Sequence, residues 1–232
     1  MEVRAAFSGF DFWHNALVPM TPVPRHQCLI YQGPSSRHFS ALATIVRQKL
    51  RQSQRCLYLD SVPMVAKMRA ALLAAGVDVG REIEETGLVL SSSQQHLIDE
   101  RTFDVDRMIG LLEDALQKAL LDGYAGLWAM GDMTWEFGPD RDFSKLVEYE
   151  WRLEEFLRSH TQIGGICQYH ADTLPREALH SGLLTHRGLF ISETLSMINP
   201  HYLPAENFPP EPTREPELDS FVTQLCKQEI PN

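Results

Sequence analysis

The chain predicts an α/β protein, with three layers (αβα) around a mainly parallel central sheet. Short apolar runs of strand length alternate with segments of helical period along residues 25–200. Strands that alternate with helices of this length imply parallel pairing and helices on both faces of the sheet. No internal repeat and no Pro/Gly-rich linker divides that stretch, so it reads as one domain over 25–202. Residues 1–24 form an N-terminal arm, where Pro19, Pro22 and Pro24 exclude a long helix. The aromatics of the arm would pack on the main domain or on a second subunit. Residues 203–232, rich in Pro and Glu, form a tail with a short helix near Leu218–Cys226.

The first strand is His26 to Tyr31, with His26, Cys28 and Ile30 on one face and Gln27, Leu29 and Tyr31 on the other. A turn over 32–36 offers Ser35 or Ser36 as helix cap. Residues 37–52 then carry Phe39, Leu42, Ala43, Val46 and Leu50 at helical spacing. Arg55 to Asp60 is the second strand. Pro63 opens a helix that Gly76 ends. Leu88 to Leu90 is the third strand. Asp104 caps a helix with the stripe Met108, Leu111, Leu112, Ala115, Leu116 and Ala119. A strand from Leu127, a helix over 143–158, a strand from Ile163 to Tyr169, a short helix after Pro175 and a strand over Gly188–Ile191 complete the series.

Composition narrows the function. The chain has 232 residues and a formal net charge of −10, which disfavours non-specific contact with nucleic acid or an anionic membrane. The four cysteines are scattered without a CxxC pair, as in a reducing compartment. No signal-peptide pattern and no apolar run of membrane-spanning length occur, so a cytoplasmic protein is expected.

The stretch Leu127 to Trp135 is the candidate site. A buried strand runs into Gly131-Asp132-Met133-Thr134-Trp135, where Asp132 and Thr134 offer polar atoms and Trp128 and Trp135 offer flat surfaces. Ligands of open α/β sheets sit at the carboxyl ends of strands. The loop Gln32-Gly33-Pro34-Ser35-Ser36-Arg37-His38 lacks the GxxxxGK[ST] of a nucleotide-binding loop. There is no GxGxxG, GxSxG or HExxH elsewhere. Cys167 and His170 have Cys-x-x-His spacing but face opposite ways on a continuous strand, and His26 with Cys28 is a single pair. No metal and no cofactor is therefore assigned. Asp132 and Glu136 form one carboxylate pair, read as a solvated face. Glu150 lies in line with Leu146, Leu153 and Leu157, so it either edges the stripe or points inward at a partner.

These residues resemble a family. Gly131-Asp132-Met133-Thr134-Trp135 is similar to the Gly-Glu-Met-Thr-Trp signature of the MEDS sensory domain of methanogen and methylotroph regulators. His26 to Tyr31, Arg55 to Leu59, Tyr149-Glu150, Cys167-Gln168-Tyr169 and Thr185-His186 resemble further pieces in the same order. Three positions depart from the pattern: Asp132 replaces a Glu, His170 an Asp, and Arg187 a Pro. The resemblance implies a RecA-like domain without nucleotide chemistry that senses small hydrocarbon derivatives. It implies a small-molecule ligand held by His26, Tyr31, Asp132, Thr134, Trp135, Glu150, Cys167, Tyr169 and His186, with no catalytic residue. Five of these, Tyr31, Asp132, Trp135, Tyr169 and His186, are expected to line one pocket at the carboxyl end of the sheet. The Glu150 carboxylate is expected to be buried and bonded to the loop of Thr134 and Trp135. Signal output would pass to a kinase or transcription regulator in trans, without direct nucleic-acid or membrane contact, from a monomer or a homo-oligomer. The alternatives are a degenerate RecA-like nucleotide-binding protein, a hydrolase acting through Asp132 and His186, and an assembly scaffold.

Overall fold

The computed structural model describes residues 24–92, 103–134, 145–207 and 216–227. Seven strands form one sheet in the order β3-β2-β4-β5-β1-β6-β7. They are β1 (His26–Tyr31), β2 (Gln54–Asp60), β3 (Leu88–Ser92), β4 (Gly126–Asp132), β5 (Ile163–His170), β6 (Gly188–Ser192) and β7 (Leu195–Ile198). Every neighbouring pair is parallel except β6 and β7, which form an antiparallel hairpin. The helices are α1 (Ser36–Arg51), α2 (Val62–Ala74), α3 (Val79–Glu84), α4 (Val105–Leu121), α5 (Leu146–Ser159), α6 (Arg176–Thr185) and α7 (Pro216–Lys227). The expected three layers and mainly parallel sheet are both present.

Alternation along the strands sorts the core into two halves. Cys28 and Ile30 of β1, Leu127 of β4, and Cys167 and Tyr169 of β5 point to α4, α5, α6 and α7. Leu29 and Tyr31, Tyr58, Trp128 and Met130, and Ile166 point to α1 and α2. A strand buried on both faces is a near-continuous apolar run, which is why β1, β4 and β5 were legible as strands. β5 packs closely enough on β4 that a Cβ at Gly165 would lie 2.1 Å from the Ala129 carbonyl oxygen, so only glycine fits there.

Helix ends follow local chemistry. The Asp104 carboxylate accepts the Arg107 amide at 3.0 Å, capping α4 as expected. Gly76 and Gly123, at φ +79° and +89°, turn the chain after α2 and α4. Ser35 precedes α1 but makes no capping bond; its hydroxyl lies against the Met64 sulfur instead. Two elements escaped the sequence pattern. α3 is a six-residue helix capped by Asp78. β7 pairs with β6 through a two-residue turn, and its side chains are largely exposed, so its apolar period is weak. The tail helix expected near Leu218–Cys226 is α7, which docks on the core with Leu218, Val222 and Leu225 buried in the α4–α6 half.

Candidate functional site

The described residues expected to form one pocket belong to two groups on opposite faces of the sheet. At the carboxyl ends of β1, β2 and β4, on the α1/α2 face, lie Tyr31, Asp60 and Asp132. The Tyr31 hydroxyl donates to Asp132 at 3.3 Å and the Tyr58 hydroxyl donates to Asp60 at 2.7 Å. The His170 ring stacks on Tyr31 with centroids 4.9 Å apart. The other Asp132 oxygen accepts the Thr134 amide at 2.7 Å and the Thr134 hydroxyl. Asp132 thus closes its own turn, a local bond natural to Asp. Burial raises both carboxyls, and Asp60 is pushed up to about 6, first by desolvation and then by the charge of Asp132.

The loop after β1 stands beside this group. Gly33 takes a left-handed φ of +79°. Its amide donates to the Asp172 carboxylate at 2.8 Å and its carbonyl meets the His170 ring at 2.8 Å. The Arg37 and His38 amides donate back to Pro34 and Ser35. Three amides of this loop, those of Gly33, Arg37 and His38, are thus committed to protein acceptors rather than free for a phosphate.

The second group lies under α5 and α6, on the opposite face. His26 opens β1 and Cys167 is central in β5; both point to the same side as Cys28. Glu150, one turn into α5, and His186, just after α6, complete the cluster. All four are buried, Glu150 and His186 to 0% exposure. The facing atoms of the four lie within 4.8 Å of one another. His26 Nε2 is 3.7 Å from both Cys167 Sγ and Glu150 Oε2. His186 Nε2 is 3.5 Å from Glu150 Oε2. Cys167 Sγ is 4.0 Å from that same oxygen, and the Tyr169 hydroxyl donates to the other.

Each imidazole is anchored from outside. His186 Nδ1 bonds the Gly182 carbonyl at 2.7 Å, and a carbonyl only accepts, so Nδ1 carries the proton. His26 Nδ1 bonds Glu154 at 2.9 Å. The charge of Glu154 is met by Arg187 at 3.1 Å, and Tyr202 donates to it at 3.2 Å. Both Nε2 atoms therefore present lone pairs to the centre. Burial lowers the proton affinity of both rings, His26 to about 3, and burial raises Glu150 to about 8. Gly182 makes room for the cluster, because a Cβ there would lie 2.5 Å from the Tyr169 ring.

Beside His26 and Cys167 is a cavity of about 40 Å³, walled by Leu59, Leu112, Met133, Leu153 and Leu157.

Several expectations are corrected by this geometry. Tyr169 and His186 do not join Tyr31 and Asp132, because Tyr31 and Tyr169 point to opposite faces of adjacent strands. Glu150 is buried as expected, but among the described residues its partner is Tyr169, and the Thr134 amide is taken by Asp132. Trp128 lies in the amino-terminal half of β4 under the Lys49 ammonium, 3.9 Å from the ring, away from the carboxyl end. Cys167 and His170 do face opposite ways. Trp135 and Glu136 lie outside the described residues. The sequence reading missed Asp60, Tyr58, Glu154, Arg187 and Tyr202. Glu154 had a signal, since it follows Glu150 by one helical turn and so shares its face.

The fold and its internal polar cluster define a mainly parallel three-layer α/β domain with a committed loop where a phosphate cradle would be. The chain belongs to the MEDS family (MEthanogen/methylotroph, DcmR Sensory domain), whose model matches residues 25–187. That span begins just before His26 and ends just after His186, so it brackets the buried cluster. No curated protein matches the chain. Among solved structures, the flagellar accessory protein FlaH from Methanocaldococcus jannaschii is similar over 72% of this chain and 71% of its own, with 14% identity and a TM-score of 0.43. Among the described residues no helix is long and apolar enough to cross a membrane.

Proposed function

We propose that this chain is a sensory domain that binds a small, largely apolar molecule in the cavity beside His26 and Cys167. The composition of that cavity carries the reading. Leucine and methionine side chains from β2, α4, α5 and the end of β4 wall it, and few polar atoms are offered at its edge. One water needs roughly 10–15 Å³ of such space. About 40 Å³ therefore holds a molecule of a few heavy atoms, the size of a short alcohol or a halogenated methane. A larger cleft of about 230 Å³ opens near Arg25, Gln48, Lys49 and Gln52. Its wall is mixed, with Lys49, Gln48 and Gln52 beside Trp128, Ile166 and Phe190, so it is more polar than the leucine-lined cavity. Occupancy would be read by a signalling partner in trans, a kinase or a transcription regulator, in keeping with the sensory family.

A ligand that binds the folded state raises its stability by mass action. Thermal melts of the full chain with methanol, ethanol, 1-butanol and dichloromethane test this. At least one compound is expected to raise the melting temperature with dose. Ala129→Leu, which fills the cavity, is expected to remove the response. No stabilisation by any of the four, or an undiminished response in a folded Ala129→Leu protein, would overturn the proposal.

A further inference from the structure

We infer that His26, Glu150, Cys167 and His186 form a binding site for a divalent transition-metal ion, zinc being the ion the four donors suit best. The donor set is two imidazole nitrogens, one thiolate sulfur and one carboxylate oxygen, a combination of the types zinc takes in four-coordinate sites. A tetrahedral ion with bonds of about 2.0–2.3 Å separates its ligand atoms by about 3.3–3.7 Å. Four of the six separations run from 3.5 to 4.0 Å and all six lie within 4.8 Å, so the shell closes with contraction of a few tenths of an ångström along those four pairs and of at most about 1 Å along the other two.

Three independent features point to a cation at the centre. The first is the unsatisfied His186 Nε2. It is fully buried, has no hydrogen-bond partner and points at a carboxylate oxygen 3.5 Å away. A lone pair facing a carboxylate in an apolar interior is unfavourable unless an electrophile lies between them. The second is the outer shell. His26 holds Glu154 and His186 holds a backbone carbonyl through Nδ1, the pattern that fixes metal-binding histidines with Nε2 forward. Glu154 is itself held by Arg187 and Tyr202, so the support extends one step further. The third is charge. With Cys167 and Glu150 ionised, the four ligands carry two negative charges, which one divalent ion neutralises in place. Binding releases the Cys167 proton, and any proton on Glu150, to solvent. The neighbouring cavity borders both His26 and Cys167 and supplies an approach.

This inference does not rest on the proposed small molecule. Metal uptake is read with no organic compound present, so either idea can fail alone.

The test uses the full chain, stripped with a chelator and titrated with Co²⁺ and then Zn²⁺. Cobalt is expected to give a thiolate-to-metal charge-transfer band and the strong visible bands of tetrahedral coordination, at about one equivalent. Zinc is expected to displace it and to raise the melting temperature. Cys167→Ser is expected to lose the charge-transfer band. Should that variant not fold, Cys28→Ser, Cys56→Ser and Cys226→Ser are each expected to keep the band, assigning it to Cys167 by elimination. Absence of the band in the wild-type chain together with an unmoved melting temperature, or loss of the band in one of those three controls, would overturn the site.

Discussion

Glu150 is fully buried, and one of its oxygens accepts from the Tyr169 hydroxyl within a cluster of buried groups. In metal-free protein, Glu150→Ala leaves that hydroxyl buried without its acceptor and is expected to lower stability by about 1–3 kcal/mol. Glu150→Gln keeps the shape and an acceptor and is expected to lose less. Chemical denaturation of the two variants with chelator present checks this; equal, negligible losses would contradict it. Asp60 supplies a pH dependence on the other face. Its folded carboxyl holds a proton up to about 6, above its ordinary value, because burial disfavours the charge. Below about pH 4 the group is protonated in both states. As pH rises from about 4 to about 6 the unfolded chain ionises first, so stability falls through that window and then levels off. Asp60→Asn keeps one acceptor, for the Ser61 amide, and its NH2 can donate to the Tyr58 oxygen where the carboxylate accepted from it. It is expected to reduce the decline, and an unchanged slope in denaturation at stepped pH would refute the assignment.

At the scale of elements, the loop between β1 and α1 decides what the carboxyl end of the sheet can hold. Three of its amides are spent on Asp172, Pro34 and Ser35. Pro34 has no amide, and the chain has no lysine at the position where a nucleotide loop needs one. Titration calorimetry with Mg-ATP is therefore expected to show no tight binding. Tight binding that Ser36→Ala or Arg37→Ala abolishes would contradict this. The opposite face is set by α5 and α6, which bring Glu150, Glu154 and His186 over β1 and β5. A helix turn places Glu150 and Glu154 on one side, and the sheet places His26 and Cys167 beneath them.

At the scale of the molecule, α7 closes the half of the core that contains the cluster. Leu218, Val222 and Leu225 are buried there, and Asp219 meets His180 of α6 at 3.0 Å. Burying such side chains stabilises by roughly 1.5–3 kcal/mol each, offset by the ordering of the helix. Ending the chain at residue 215 is expected to lower stability by roughly 2–5 kcal/mol. A truncated protein with the full-length denaturation midpoint would show that α7 adds nothing to the core.

The sequence by itself determined the layers and most of the strands. Apolar period reports burial directly, and strands buried on both faces leave unbroken apolar runs. It also singled out Glu150, because a charge in line with leucines either edges the stripe or finds a partner inside, and the family resemblance favoured the inward choice. The family pieces picked out His26, Cys167 and His186 one by one. Only the tertiary structure decided which residues meet. Tyr31 and Tyr169 lie at the ends of adjacent strands, one register position out of step, and the two-residue period of a strand sends them to opposite sides of the sheet. Glu150 and Cys167 come together across 17 residues, and His26 meets Cys167 across 141. Those distances along the chain carry no local signal. They are set by strand order, which places β1 beside β5.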